Sequence, residues 1–158
     1  MVYNVCLGLV KHHDDASDLA QEVFIDVYTK LDQFLGMSTL KTWIYRIAVN
    51  KSLEYLRKKK AIKRDTELTE ISDLNISGER FDHPGVRLQQ KEDAAMLFEA
   101  IGHLPESQRV AFTLLKVEGL SQDEISKIMG KSISSIESLI HRAKQNLRKT
   151  LSRYYEKT

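Results

Sequence analysis

Leu120-Ser-Gln-Asp-Glu-Ile-Ser-Lys-Ile-Met-Gly130, running on into Ser132-Ile-Ser-Ser-Ile-Glu-Ser-Leu-Ile-His-Arg-Ala-Lys-Gln-Asn-Leu-Arg-Lys149, decides the fold. Ser121 with Glu124 three residues later spells a capping box, and Gly130 suits the left-handed position that closes a helix. The first helix is therefore short. A second helix starts at Ser132 or Ser134 and gathers Ile136, Leu139, Ile140, Ala143 and Leu147 on one face. Ser134, Ser135, Glu137, Ser138, His141, Arg142 and Lys144 fall on the other face and offer hydrogen-bonding groups. A short helix, a turn and a longer helix form the geometry that places the second helix in the DNA major groove.

Working outward, periodicity marks further helices and no competing strands. Upstream, Leu104-Pro105-Glu106 opens a helix carrying Val110, Ala111, Leu114 and Leu115 that stops near Gly119, with Pro105 at its first position. A helix from Leu88 to about Ile101 precedes it. Near the amino terminus, Val2 to Val10 reads as a short apolar helix. Leu19, Val23, Val27, Leu31 and Phe34 mark a second helix over residues 15–34, with Asp14, Asp15 or Ser17 as its cap. A third runs from Ser38 or Thr39 to about Lys59. Between Ala61 and Val86 the chain turns polar, up to His83-Pro84-Gly85, and reads as a flexible linker. The expected architecture is all-α: a helical unit over residues 1–60, a linker over 61–86, and a four-helix unit over 87–158.

Composition sets bounds on function. With 42% hydrophobic and 29% charged residues in 158, the chain is long enough for two small units, each with a core. The net charge of +2 divides into +2, −3 and +3 over residues 1–60, 61–86 and 87–158, so the acidic part is the linker. Basic residues concentrate at helix ends, as Arg57-Lys58-Lys59-Lys60 and as Arg142, Lys144, Arg148, Lys149 and Arg153. Helix ends attract such residues in any protein, but two clusters on separate units favour phosphate contact. Cys6 is the single cysteine, so no internal disulfide forms and a cytoplasmic setting is expected. Residues 2–10 are too short to span a bilayer, which argues against direct membrane insertion. The adjacent His12-His13-Asp14-Asp15 is not expected to converge on one metal ion. Neither a Gly-rich phosphate loop nor a HExxH pair is present, so no catalytic residue, cofactor or enzymatic activity is expected.

A second constellation lies in the first unit: Asp18-Leu-Ala-Gln-Glu-Val-Phe24, Phe34, Thr42-Trp-Ile-Tyr-Arg-Ile-Ala-Val-Asn50 and Leu53-Glu-Tyr-Leu-Arg57. It resembles region 2 of the bacterial sigma-70 family, while Leu104-Pro-Glu-Ser-Gln-Arg109 with the helix-turn-helix resembles region 4. Both in order, with a linker and no domain between them, resemble the extracytoplasmic-function (ECF) group. The amino-terminal helix is shorter than is usual in that family and is read as a shortened first helix.

What the resemblance implies is a non-enzymatic subunit that binds bacterial core RNA polymerase, reads promoter DNA and is occluded by an anti-sigma factor. Asp18, Gln21 and Glu22 form an acidic and amide patch beside the apolar stripe, and in the family this patch grips a coiled coil of the polymerase clamp. Unpaired bases stack on apolar surfaces while basic groups hold the backbone. In the family the Phe34–Lys41 segment captures an extruded minus-ten base, which points to Leu35, Met37, Ser38 and Lys41. Arg46, Asn50, Lys51 and Arg57 follow on the third helix. Trp43 and Ile47 read as core ahead of base platform, and Tyr45 fits either role. The minus-thirty-five element would be met by Ser134, Ser135, Glu137, Ser138, His141, Arg142 and Lys144. Many members carry a basic residue where this chain has Glu137 and an arginine where it has Leu139, so contacts at those positions do not transfer. Glu137 fits either a hydrogen bond from a cytosine amine or electrostatic support of the helix start. Fully extended at ~3.3–3.6 Å per residue, the linker reaches about 85–90 Å, enough for the roughly 70 Å of two DNA turns. Two other readings remain: a stand-alone helix-turn-helix regulator and a helical protein-binding adaptor.

Overall fold

A computed structural model describes residues 1–67, 96–97 and 99–155, and among them every regular element is helical. The first unit holds α1 (Val2–Val10), α2 (His13–Lys30), a 3-10 turn (Leu31–Gln33) and α3 (Leu40–Glu67). The second holds helical residues 96–97 and 99–102, then α4 (Glu106–Lys116), α5 (Gln122–Met129) and α6 (Ile133–Tyr155).

Helix α1 is apolar on nearly every face, and a helix of that kind survives in water only when surrounded. It is surrounded: Val2, Val5, Cys6, Leu7, Leu9 and Val10 are all buried, with α2 and α3 on one side and α4 on the other. Lys11 ends it in the left-handed region, at φ 69°, and its N–H reaches the Leu7 carbonyl. Leu19, Ala20 and Val23 of α2 and Tyr45, Ala48 and Val49 of α3 complete the core of the first unit.

In the second unit Val110, Ala111 and Leu114 of α4 meet Ile125 and Ile128 of α5 and Ile136 and Ile140 of α6. Each fully buried aliphatic side chain of this kind contributes about 1.5–3 kcal/mol. A further cluster of Ala100, Ile101, Leu104, Phe112, Ala143 and Leu147 fixes the rest of α6 against α4. Gln108 and Asn146 join the same two helices by a 2.8 Å hydrogen bond.

The two cores are continuous through α1 and α4. Gly8 makes this approach possible, because a methyl group there would lie 2.7 Å from Thr113 Cγ2.

Three boundaries differ from expectation. Helix α2 starts at His13 behind His12, with no side-chain cap, so none of Asp14, Asp15 and Ser17 serves as its N-cap. Pro105 is the N-cap residue of α4, at φ −51° and ψ 144°, one position before the first helical residue. Helix α3 continues past Lys59 to Glu67, since residues 59–67 contain neither Gly nor Pro to stop it. The Lys59 ammonium, 3.0 Å from Asp15, anchors that extension to α2. The rest of the expected linker, residues 68–86, lies outside the described residues, as does most of the expected Leu88–Ile101 helix.

Candidate nucleic-acid and protein interfaces

The helix-turn-helix is built by local chemistry. Ser121 Oγ accepts from the Glu124 N–H at 3.2 Å while Glu124 Oε2 accepts from the Ser121 N–H at 2.8 Å, so the capping box closes in both directions. The Ser121 N–H and, at 3.1 Å, the Ser121 hydroxyl both donate to the Glu124 carboxylate and hold its carboxyl below its ordinary range. Gly130, at φ 62°, ends α5 in the left-handed conformation that its sequence position requires. Ser132 Oγ accepts from the Ser135 N–H at 3.3 Å and caps α6.

Ile136, Ile140, Ala143 and Leu147 point inward, Leu139 is half-buried, and Ser134, Ser135, Glu137, Ser138, His141, Arg142 and Lys144 are all exposed. Glu137, Ser138, His141 and Arg142 line one shallow hollow on this free face. Ser138 Oγ donates back to the Ser134 carbonyl at 2.9 Å, and the Ser132 and Ser135 hydroxyls lie 2.8 Å apart. Hydroxyls parked on their own helix in this way can rotate to a base or a phosphate at the loss of one local bond each. Arg148 and Lys149 continue the basic surface, while the Arg153 side chain lies outside the described residues.

On α2, Asp18, Gln21 and Glu22 are exposed on one face, as their spacing requires. Glu22 meets the Lys51 ammonium of α3 at 3.1 Å, and Lys51 also meets Asp26 at 3.3 Å. Burial would lower the Lys51 pKa, but Glu22 and Asp26 outweigh it and raise it. Burial likewise opposes the Asp26 carboxylate, yet Lys30 and Lys51 hold that carboxyl below its ordinary range. Lys51 therefore ties α3 to α2, and its charge is already committed to two carboxylates.

The sequence reading missed an apolar continuation of this patch. Ile25 and Tyr28 follow Asp18, Gln21 and Glu22 along the same face, and Phe24 adjoins them; all three are exposed, Tyr28 by 84%. The available signal was a second apolar ridge at 24, 25 and 28, offset from the 19, 23, 27 stripe. Leu31 is exposed as well, because the 3-10 turn breaks the stripe's phase there.

The expected base-capture segment is open. Leu35 and Met37 are 82% and 90% exposed, and Gly36 between them takes φ 70°. The Phe34 and Trp43 rings pack at 5.4 Å between centroids, so both brace this segment from beneath. Ser38 is half-buried and Asn50 exposed.

The remaining basic candidates are exposed but not idle, because each meets the second unit. Lys41 lies 3.9 Å from Glu124, Arg57 lies 3.1 Å from Glu106, and Arg46 donates to the Lys127 carbonyl. Lys127 is in the last turn of α5, where carbonyls lack helical partners and the helix dipole favours a cation, so Arg46 serves as a cap in trans. Between these contacts Tyr45, only 2% exposed, donates to Glu118. Of its two expected roles Tyr45 takes the core position, and its hydroxyl in addition joins the two units. Among the described residues no cluster of three or more His, Cys, Asp or Glu side chains is placed to hold a metal, and no helix is long and apolar enough to cross a membrane.

Comparison with known proteins bears on these surfaces. Residues 1–62 match the family described as Sigma-70 region 2, and residues 94–147 match Sigma-70, region 4. The ECF RNA polymerase sigma-E factor of Escherichia coli (strain K12) is 35% identical over 135 residues, covering 83% of this chain and 71% of that protein. The RNA polymerase sigma-H factor of Pseudomonas aeruginosa is 33% identical over 153 residues, covering 92% and 79%. Among solved structures, the sigma factor RpoE in complex with the anti-sigma factor NepR from Bartonella quintana superposes with a TM-score of 0.73 at 26% identity, over 96% of this chain and 89% of that one. CnrH in complex with the cytosolic domain of CnrY shares the fold at 20% identity and a TM-score of 0.69, over 96% and 80%. The chain belongs to the sigma-70 family as an ECF sigma factor, a non-enzymatic subunit that directs RNA polymerase to initiate transcription at specific promoters.

Proposed function

We propose that this sigma factor divides its work among three surfaces. Asp18, Gln21 and Glu22, extended by Ile25 and Tyr28, take up the polymerase clamp: carboxylates and an amide meet a basic, amphipathic helical partner while the apolar ridge adds buried area. Leu35, Met37 and Ser38 receive an extruded minus-ten base, with Lys41, Arg46, Asn50 and Arg57 along the strand's backbone and Lys51 holding α3 in place. Ser134, Ser135, Glu137, Ser138, His141, Arg142 and Lys144 meet the minus-thirty-five element in the major groove. No step is chemical. The protein lowers the cost of strand opening by binding the opened state better than the duplex.

The observation that carries this reading is the coexistence, on one chain matching regions 2 and 4 in order, of an exposed α2 patch and an exposed recognition face on α6. A conventional regulator has no use for the first. A structural relative, the sigma factor RpoE, is bound to the anti-sigma factor NepR, which supports a partner of that class here. The setting is the cytoplasm, where polymerase and promoter are met.

The test is run-off transcription from a genomic promoter library with core polymerase of the same host, with and without the chain. Promoter-specific transcripts that require the chain are expected. Their absence, with folded chain and active core, would overturn the proposal.

A further inference from the structure

The chain carries one cysteine and four methionines, and the fold treats their sulfur atoms very differently. Cys6 is fully buried in α1, where burial also raises its thiol pKa and so suppresses the reactive thiolate. Met129 packs against the core, Met96 is half-buried, and Met1 is 48% exposed. Met37 stands open, at 90% exposure.

Its position explains why. On one side Phe34 packs on Trp43, and on the other Thr39 Oγ1 accepts from the Thr42 N–H at 3.1 Å as α3 begins. Residues 35–38 are therefore a short segment held at both ends. Gly36, at φ 70°, separates Leu35 from Met37, and nothing lies within 4 Å of a Cβ at that position.

The three surfaces assigned above differ in the same respect. Asp18, Gln21, Glu22, Ile25 and Tyr28 include no sulfur, nor do the candidate DNA contacts of α6; the base-capture segment does. A thioether is a soft, polarizable apolar group, well suited to lie against the face of a base. It is also the apolar side chain that mild oxidants convert to a polar one.

We propose that Met37 is an oxidation site, at which hydrogen peroxide lowers promoter opening without displacing the protein from polymerase. This rests on the assignment of Leu35 and Met37 to the extruded base. The thioether sulfur attacks one peroxide oxygen, the O–O bond breaks, an S=O bond forms and water leaves. Sulfur gives up two electrons and the peroxide takes them. The resulting sulfoxide is a hydrated acceptor, and a base can lie on it only after that water is stripped, so the opened strand loses its apolar platform. Met37 belongs to neither core, so its oxidation leaves the packing of both intact.

The full chain is treated with dilute hydrogen peroxide, the oxidant is destroyed with catalase, and core polymerase of the same host is then added. Peptide mass spectrometry should find oxygen first at Met37, ahead of Met1, Met96 and Met129. At the dose that converts Met37, affinity for core should be unchanged while run-off transcription falls on the order of tenfold. Methionine sulfoxide reductases A and B, one for each sulfoxide epimer, should restore it. Earlier oxidation of another methionine, or full transcription from chain oxidised at Met37, would overturn the proposal.

Met37→Leu keeps an apolar group without sulfur, and it is judged by the ratio of its own treated to untreated transcription. Peroxide should cause it no loss; a loss equal to that of the native chain would place the damage elsewhere and overturn the proposal. The base-capture reading is checked apart from this, with Met37→Ala under reducing conditions. If Met37→Ala leaves run-off transcription unchanged, that reading fails at Met37 and the oxidation switch with it. If it lowers transcription while the oxidised native chain stays fully active, the reading stands and the switch alone fails.

Discussion

The Tyr45 hydroxyl of α3, in region 2, donates a 2.5 Å hydrogen bond to Glu118 Oε2 in the turn that follows α4 of region 4. Both groups are nearly removed from solvent, with 2% of Tyr45 and 7% of the Glu118 side chain exposed. Tyr45→Phe leaves that carboxylate without the donor, at a cost of about 1–3 kcal/mol. Thermal unfolding should show a lower Tm in Tyr45→Phe, with partial recovery on adding Glu118→Gln. Burial, then the Glu118 carboxylate, pushes the phenol up from its ordinary value, so the folded chain holds that proton more tightly than the unfolded one. The resulting stability is present at neutral pH and lost as pH rises above about 10. Denaturant titrations at pH 7 and at pH 10.5 should show a larger alkaline loss for the native chain than for Tyr45→Phe, and equal losses would remove Tyr45 as the titrating group.

Ser121 separates local from distant contributions to α5. Ser121→Ala removes one half of the capping box and should cost about 1 kcal/mol of stability, read from the denaturant midpoint. Glu124→Ala removes the other half of the box and the contact with Lys41 at 3.9 Å as well. That contact is exposed, so Glu124→Ala should exceed Ser121→Ala by only a few tenths of a kcal/mol. A much larger excess would mean that the inter-unit pair carries more weight than its exposure allows.

Glu22→Lys tests the polymerase patch with little risk to the fold. Its partner Lys51 keeps Asp26 at 3.3 Å, so no buried charge is stranded by the reversal. Far-ultraviolet circular dichroism should stay native while affinity for core polymerase falls by about tenfold or more, since a like charge now faces a basic partner. Tyr28→Ala should weaken the same complex, through lost apolar area, with much less dependence on salt. Native-like core affinity in both variants would place the polymerase contact elsewhere.

What the sequence disclosed and what it hid differ in range. The capping box at Ser121 and Glu124, the Gly130 stop and the inward set on α6 were legible because each depends on residues within one or two turns. The end of α3 was not, since neither Gly nor Pro marks Lys59 and the contact that supports the extension comes from Asp15, 44 residues away. That Lys51 meets Glu22 and Asp26 is likewise invisible to the periodicity of α3 alone. The inter-unit bond between Tyr45 and Glu118 spans 73 residues, and no spacing rule reaches that far. Exposure of the candidates on α2 and α6 was thus legible from helix phase, but the partners of those on α3 were not.

Cys6 should behave as core. It is fully buried in α1, and burial raises its thiol pKa, an effect the nearby Ser52 hydroxyl offsets only in part. Thiolate is the reactive form, so a thiol reagent at pH 8 should leave the folded chain unmodified and react only as the chain opens. The labelling rate should rise with denaturant in step with unfolding. Fast labelling in native buffer would show that α1 opens locally.

Arg142 and Glu137 lie in the same hollow of α6, one turn and a residue apart, and carry opposite charges toward the same groove. Their removal should differ in kind. Arg142→Ala takes away a cation suited to phosphate, so promoter binding by the polymerase holoenzyme should weaken for every sequence, with a salt slope lower by about one. Glu137 accepts but does not donate when ionised, and among major-groove edges it suits the amino group of cytosine or adenine and repels carbonyl-rich guanine. Glu137→Gln adds a donor and removes the charge, so discrimination at one base position should relax by about 1–3 kcal/mol while affinity for other sequences rises slightly. Binding to a library of promoter variants at two salt concentrations separates the two. If Glu137→Gln shifts all sequences equally, the carboxylate acts only through its charge, and specificity at that position belongs to Ser138 or His141.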